Sequence, residues 1–181
     1  LLELAGSETI VTSQQRFETT DVAAILTAVV DALRPQVEEK DLTLVFGVPA
    51  DLPKIEAVPQ NLEQVFTNLI SNAVKYTLPG GSVTVSAEAT PDHLTVQVVD
   101  TGIGIPERSL QKIFDRFYRV KDKRTRDESG TGLGLAIVKN IIDAHMGTVE
   151  VASVEEKGTT VTVSLPRRWQ AEARTGPAGG S

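Results

Sequence analysis

The runs V-T-V-S-A-E-A (residues 83–89) and L-T-V-Q-V-V-D (residues 94–100) decide how this chain folds. In the first, Val83, Val85 and Ala87 alternate with polar residues; in the second, Leu94, Val96 and Val98 do. A period of two with β-branched residues predicts strands, and the turn around Pro91-Asp92 joins them as an antiparallel hairpin. A second hairpin is expected from 149–154 and 159–165 around Lys157-Gly158, with Pro166 stopping the last strand. Residues 42–48 place Leu42, Leu44, Phe46 and Val48 on one face of a further strand, and 54–57 and 16–20 read as brief ones.

Between the strands the period changes. Asp21 can cap a helix running to about Lys40, with Ile25, Leu26, Val29, Val30 and Leu33 on one side. Pro35 is expected to kink that helix or mark its boundary. Pro59 opens a helix to about Tyr76, and Pro106 a short one. Residues 133–145 form another, burying Leu135, Ile137, Val138, Ile141 and Ile142 and ended by Gly147. The hairpins exclude a strict β-α-β sheet. The fold class is therefore α/β, a two-layer sandwich whose mixed, largely antiparallel sheet is covered on one face by three main helices.

The chain has 181 residues, of which 40% are hydrophobic, enough for one domain with a core. It has no Cys, which excludes disulfides and thiolate metal sites and fits a reducing compartment. No apolar run approaches the ~20 residues that span a bilayer. A net charge of −6 and few aromatics argue against nucleic acid as a partner. Cations concentrate at Arg116, Arg119, Lys121, Lys123, Arg124 and Arg126, and the polar stretch 121–130, which holds the last four of them, reads as a flexible loop. Residues 1–6 read as the end of a helix begun upstream, 7–15 as a linker, and 167–181 as a disordered tail, so the chain is expected to be a fragment with its domain at 16–166.

Four blocks carry chemistry: N-L-I-S-N-A-V-K-Y-T (68–77), D-T-G-I-G-I (100–105), F-D-R-F-Y-R (114–119) and G-T-G-L-G-L (130–135). Helical spacing puts Asn61, Gln64, Asn68, Asn72 and Lys75 on one face, opposite Leu62, Phe66, Leu69 and Ala73. Alone, that is the wet side of an amphipathic helix. Yet Asn disfavours helix interiors, its carbonyl suits Mg²⁺, and Lys75 can pair with a phosphate. Asp100 ends an apolar strand before Gly102 and Gly104. It is either turn chemistry or a carboxylate accepting from an exocyclic amine such as that of adenine, with glycines that let a base approach. Phe114, Phe117 and Tyr118 read as a small hydrophobic cluster. Gly130, Gly132 and Gly134 expose amides at a helix entrance, where anions are stabilised. The spacing fits neither a dinucleotide fingerprint nor a P-loop.

In this order the blocks resemble the ATP-binding catalytic domain of sensor histidine kinases, within the GHKL ATPase family, over roughly residues 17–166. They correspond to that family's N, G1, F and G2 boxes, and Lys157-Gly158-Thr159-Thr160 to its G3 element. The resemblance implies a Bergerat fold, with ATP and Mg²⁺ as cofactors. It implies that Asn72 holds the metal, Lys75 contacts phosphate, Tyr76 packs by the base, Asp100 reads the adenine amine and Thr160 supports that contact. It also implies an ATP lid at about 119–131, with Arg119 as the candidate for the γ-phosphate. ATP-binding positions are thus Asn68, Asn72, Lys75, Tyr76, Asp100, Gly102, Gly104, Ile105, Gly130, Thr131, Gly132, Leu133, Gly134 and Thr160; Asn68, Lys75 and Arg119 are the catalytic candidates.

Two departures direct the reading. Family members that hydrolyse ATP place a Glu one turn before the metal-binding Asn; here that position is Asn68, and an amide is no general base. Transfer to an imidazole is expected instead of rapid hydrolysis. Neither His93, read in a hairpin turn, nor His145, read as a cation favoured at a helix end, has the surroundings of a phosphoacceptor. The acceptor is expected upstream, on a dimerisation domain. The implied partners are that domain, in a homodimeric full-length kinase, and a response-regulator receiver domain, with no nucleic acid and no direct membrane contact in this fragment. The implied location is the cytoplasm, any membrane anchor lying upstream. The alternatives are a nucleotide-sensing pseudokinase and, less favoured by Asn68, a GHKL serine kinase or ATPase.

Overall fold

The computed structural model describes residues 16–120 and 131–168. The expected upstream helix end and linker, the loop at 121–130 with Gly130, and the tail from 169 lie outside the described residues. In chain order the elements are β1 (Glu18–Thr20), α1 (Val22–Glu39), β2 (Thr43–Gly47), β3 (Ile55–Ala57), α2 (Pro59–Tyr76), β4 (Ser82–Ala89), β5 (His93–Asp100), α3 (Glu107–Leu110), α4 (Gly134–Ala144), β6 (Thr148–Val154) and β7 (Gly158–Pro166).

The 83–100 hairpin is the centre of a five-stranded sheet ordered β2-β4-β5-β7-β6. Its one parallel pair is β2 with β4; the others are antiparallel. β1 and β3 form a separate two-stranded ribbon. Val83, Val85, Leu94, Val96, Val98, Val163 and Leu165 turn one face of the sheet toward the helices and are buried there with Leu26 and Val30 of α1, Phe66 and Ile70 of α2, and Val138 and Ile142 of α4. The intervening Thr84, Ser86, Gln97 and Thr162 are left at least partly exposed, so a single face is covered, as the alternation predicts. No described helix is long and apolar enough to cross a membrane.

Several local expectations change. α1 continues through Pro35 to Glu39. Pro35 and Asp31, whose carbonyl loses its helical donor, are both exposed, so water can serve it. Ile137 of α4 is only partly buried and stands outside the core. The α4 terminus turns at Met146 (φ 56), with Gly147 N donating to the Ile142 carbonyl at 2.9 Å. Gly147 is needed for a different reason: a Cβ there would lie 2.5 Å from the Ser164 carbonyl oxygen of β7. His93 opens β5 instead of sitting in the turn. Arg167 belongs to the fold, not to a tail, since its amide donates to the Asp92 carbonyl (2.8 Å) and its own carbonyl accepts from Glu56 N (3.1 Å).

His145 is buried, and it is not a helix-end cation. Its Nε2 accepts from the Val58 amide at 3.1 Å, while Nδ1 lies 2.8 Å from the Ile141 carbonyl, which selects the neutral ring protonated on Nδ1. It ties the end of α4 to the residue before α2, beside the Phe17 ring at 4.9 Å. Burial lowers its pKa below the ordinary 6.5. The folded state thus favours the neutral ring; that stability is whole above 6.5 and is lost as pH falls from there toward the lowered folded value. Denaturant midpoints should therefore fall between about pH 7.5 and about pH 5.5, and His145→Asn should be less stable at the higher pH but lose most of that slope. An unchanged slope in the variant would remove His145 as the source.

Candidate functional site

α2 presents Asn68, Asn72 and Lys75 along one line, spanning about 10 Å by helical rise. They face the carboxyl end of β5, where Asp100 ends the strand, and the entrance of α4. Between these elements lies a cavity of about 380 Å³, within the usual range for a small-molecule site. Its wall is polar at Asn68, Ser71, Asn72, Lys75, Asp100, Arg119, Thr131 and Thr159, and apolar at Leu69, Val98, Ile103, Ile113, Leu135, Val151 and Val161.

Of the residues expected from sequence, Asn68, Asn72, Lys75, Tyr76, Asp100, Gly104, Ile105, Arg119, Thr131, Gly132 and Gly134 line this cavity. The Lys75 ammonium lies 5.2 Å from the centre of the Tyr76 ring. The α4 entrance comes close to α2: a Cβ on Gly134 would lie 3.3 Å from Asn68 Oδ1. Gly102, Leu133 and Thr160 are not in the wall, and Gly130 lies outside the described residues.

Thr160 is displaced by one residue. Thr159 and Val161 line the cavity, and strand alternation turns Thr160 to the other side of the sheet. The Thr159 amide donates to Asp100 Oδ1 at 3.2 Å, and the Gly102 amide donates to the same oxygen at 2.8 Å. The Asp100 carboxyl pKa is raised: burial pushes it up, and these two amides only partly offset that. With both amides on Oδ1, the second oxygen remains for a ligand.

The glycines after Asp100 serve the protein's own packing. A Cβ on Gly102 would collide with the Tyr76 carbonyl oxygen, and Gly104, at φ 68, would meet the Val154 carbonyl oxygen. Close approach is required at both, but by neighbouring backbone. The loop is fastened by Ile103 N to the Tyr76 carbonyl (3.1 Å), Glu156 N to the Ile103 carbonyl (2.8 Å) and Ile105 N to Ser153 Oγ (2.8 Å). Ser153 escaped the sequence reading. Its Oγ also meets Thr159 Oγ1 at 2.9 Å and the Gly158 carbonyl at 2.8 Å, and the only hint was its mirror position across the Lys157-Gly158 turn.

The aromatic cluster does not form as expected. Phe117 adopts φ 64 and is 72% exposed, its amide donating to the Gly132 carbonyl at 2.9 Å. Tyr118 instead lines the cavity and donates its hydroxyl to buried Ser109 Oγ at 3.0 Å.

No cluster of three or more His, Cys, Asp or Glu that could hold a metal occurs among the described residues. The donor set around α2 is amide and ammonium. That suits a hard cation only when an anionic ligand supplies most of the oxygens, the situation of Mg²⁺ on nucleotide phosphates.

Comparison with known proteins agrees with this geometry. The sensor histidine kinase WalK of Bacillus subtilis is 42% identical over 137 residues, covering 75% of this chain and 22% of that protein. The sensor protein kinase WalK of Staphylococcus saprophyticus is 45% identical over 135 residues, covering 74% and 22%. The chain thus spans about a fifth of the length of the curated relatives it matches. Among solved structures, the catalytic domain of histidine kinase ThkA superposes with TM-score 0.74 at 27% identity, covering 84% of this chain and 98% of that one. Full-length ShkA in complex with AMPPNP gives TM-score 0.74 at 29% identity, covering 85% and 32%. Residues 57–168, which contain every residue lining the cavity, match the family described as "Histidine kinase-, DNA gyrase B-, and HSP90-like ATPase". With fold, cavity and sequence in agreement, the chain belongs to the histidine kinase-, DNA gyrase B- and HSP90-like ATPase family.

Proposed function

We propose that this domain binds Mg-ATP and is the donor half of a sensor histidine kinase. It presents the γ-phosphoryl group to a histidine on a dimerisation domain, for relay to an aspartate of a response regulator. The observation that carries the reading is that Asp100 stands at one wall of the cavity and Asn68, Asn72 and Lys75 at another, with an amide where a hydrolase needs a base.

Asp100 accepts from the adenine amine, and the apolar wall takes the ring faces. Lys75 and Arg119 neutralise phosphate charge from two sides. Asn72 holds Mg²⁺ together with phosphate oxygens, and Asn68 donates to the phosphates from one turn earlier. The bound ion screens the phosphate charge that would repel a nucleophile. The unprotonated imidazole nitrogen bonds to the γ-phosphorus as the bond from that phosphorus to the β–γ bridging oxygen breaks; ADP leaves with that electron pair, and the proton on the other ring nitrogen passes to the acceptor domain or to water. Catalysis is then positioning and charge neutralisation, with an amide, not a proton acceptor, at Asn68.

Titration calorimetry with ATP and Mg²⁺ tests the binding half. One site per chain is expected, with GTP much weaker and negligible hydrolysis by the domain alone. Equal affinity for ATP and GTP, or multiple turnovers of ATP without an acceptor, would contradict the assignment.

A further inference from the structure

A helix end leaves its last carbonyls without intrahelical donors. The end of α2 carries Lys75 and Tyr76, so those carbonyls lie directly behind the cavity. α2 has no glycine closure; the chain leaves through Thr77 in an extended conformation (φ −85, ψ 132). Only the Ala73 carbonyl is served locally, by the Thr77 amide at 3.1 Å and Thr77 Oγ1 at 2.6 Å. The next three are met from elsewhere. Lys40 Nζ donates to the Val74 carbonyl at 3.0 Å and to the Lys75 carbonyl at 2.6 Å. The Tyr76 carbonyl accepts from Ile103 N at 3.1 Å.

Lys40 is itself held in place. It caps α1, and the chain turns at Asp41 (φ 53) with Leu42 N donating to the Val37 carbonyl at 2.9 Å. The Asp41 carbonyl accepts from Gly80 N at 3.0 Å, which pins the segment after α2 to the same turn. A half-buried ammonium therefore sits at the negative end of the α2 dipole, where a cation is stabilising.

We infer that Lys40 is a positioning residue of the nucleotide site: by closing two of the three open carbonyls it fixes the turn that presents Lys75 and Tyr76 opposite Asp100. The inference rests on the nucleotide reading above. Without the ammonium, two carbonyls lose their donor and the last turn loosens, while Asn72 and Asn68, nearer the helix centre, keep their helical bonds.

The test combines ATP calorimetry with amide hydrogen exchange on the wild type, Lys40→Met and Lys40→Arg. The Met variant is expected to weaken Mg-ATP binding about tenfold. It should speed exchange at Thr77 and Ile103 and leave Asn72 as protected as before. The Arg variant, which can also donate to two carbonyls, should restore both readouts to within about threefold. If the Met variant does not fold, Lys40→Gln, which keeps a donor, should show a smaller loss at the same amides. Wild-type affinity and wild-type exchange in the Met variant would overturn the inference, as would exchange raised evenly along α2. A wild type that binds no ATP would overturn the proposed function instead, and exchange at Thr77 and Ile103 would then decide the role of Lys40 alone.

Discussion

Replacing Asp100 by Asn is expected to weaken ATP binding by about 1–3 kcal/mol, roughly 5- to 150-fold in Kd, without unfolding the domain. The amide oxygen can still accept from Gly102 N and Thr159 N, so the loop and the β7 contact survive. The nitrogen then occupies the place of the carboxylate oxygen offered to the ligand. A donor there meets the donor amine of adenine but suits the carbonyl of guanine, so the preference for ATP over GTP should shrink as well.

The same side chain sets a pH dependence. Burial raises the Asp100 pKa above its ordinary value, so in the folded state the charge is the disfavoured form. For stability, its contribution is whole below the unfolded pKa and is lost as pH rises through the raised folded value. Asp100→Asn should therefore leave the unliganded protein as stable at neutral pH, or more so. For binding the sign is opposite, because the amine needs the carboxylate. ATP affinity should fall on acidification through the raised value, measured relative to Asp100→Asn so that phosphate titration cancels. A parallel pH profile in the variant would contradict this role.

The second large effect is expected at Asn72. Asn72→Ala should lower the rate of phosphoryl transfer about 10²- to 10³-fold, the scale of losing a well-placed electrostatic stabiliser of a metal-bound phosphate. Nucleotide binding without magnesium should hardly change, since Asp100 and the apolar wall are untouched. Asn72→Asp keeps the size of the side chain but adds a charge among the phosphates; it should fold normally and alter the magnesium dependence of binding. An unaltered magnesium titration in both variants would remove Asn72 as the ligand.

Much of this site was legible because it is local in sequence. Helical spacing alone put Asn68, Asn72 and Lys75 on one line, and strand alternation delivered Asp100 to the end of β5. What escaped depends on contacts distant in sequence or on a register of one residue. In G-T-T (158–160) either threonine could have faced the cavity; the pairing of Asp100 with Thr159 across β5 and β7 puts Thr159 on that side. Ser153 meets Ile105 only because β6 is the edge strand beside β7. Phe117 resembled a core aromatic by spacing, but its left-handed backbone turns it outward. Lys40 gave no signal, since its partners lie 34 and 35 residues away.

Whether this domain holds the donor and an upstream dimerisation domain the acceptor is decided by mixing the domain with its own dimerisation domain and ATP labelled in the γ-phosphate. Label is expected on the histidine of the added domain, none on His93 or His145, and none when Asn72 is Ala on the same timescale. An unlabelled histidine, with ATP binding demonstrated in the same preparation, would contradict it and leave a module that senses nucleotide without transferring phosphate.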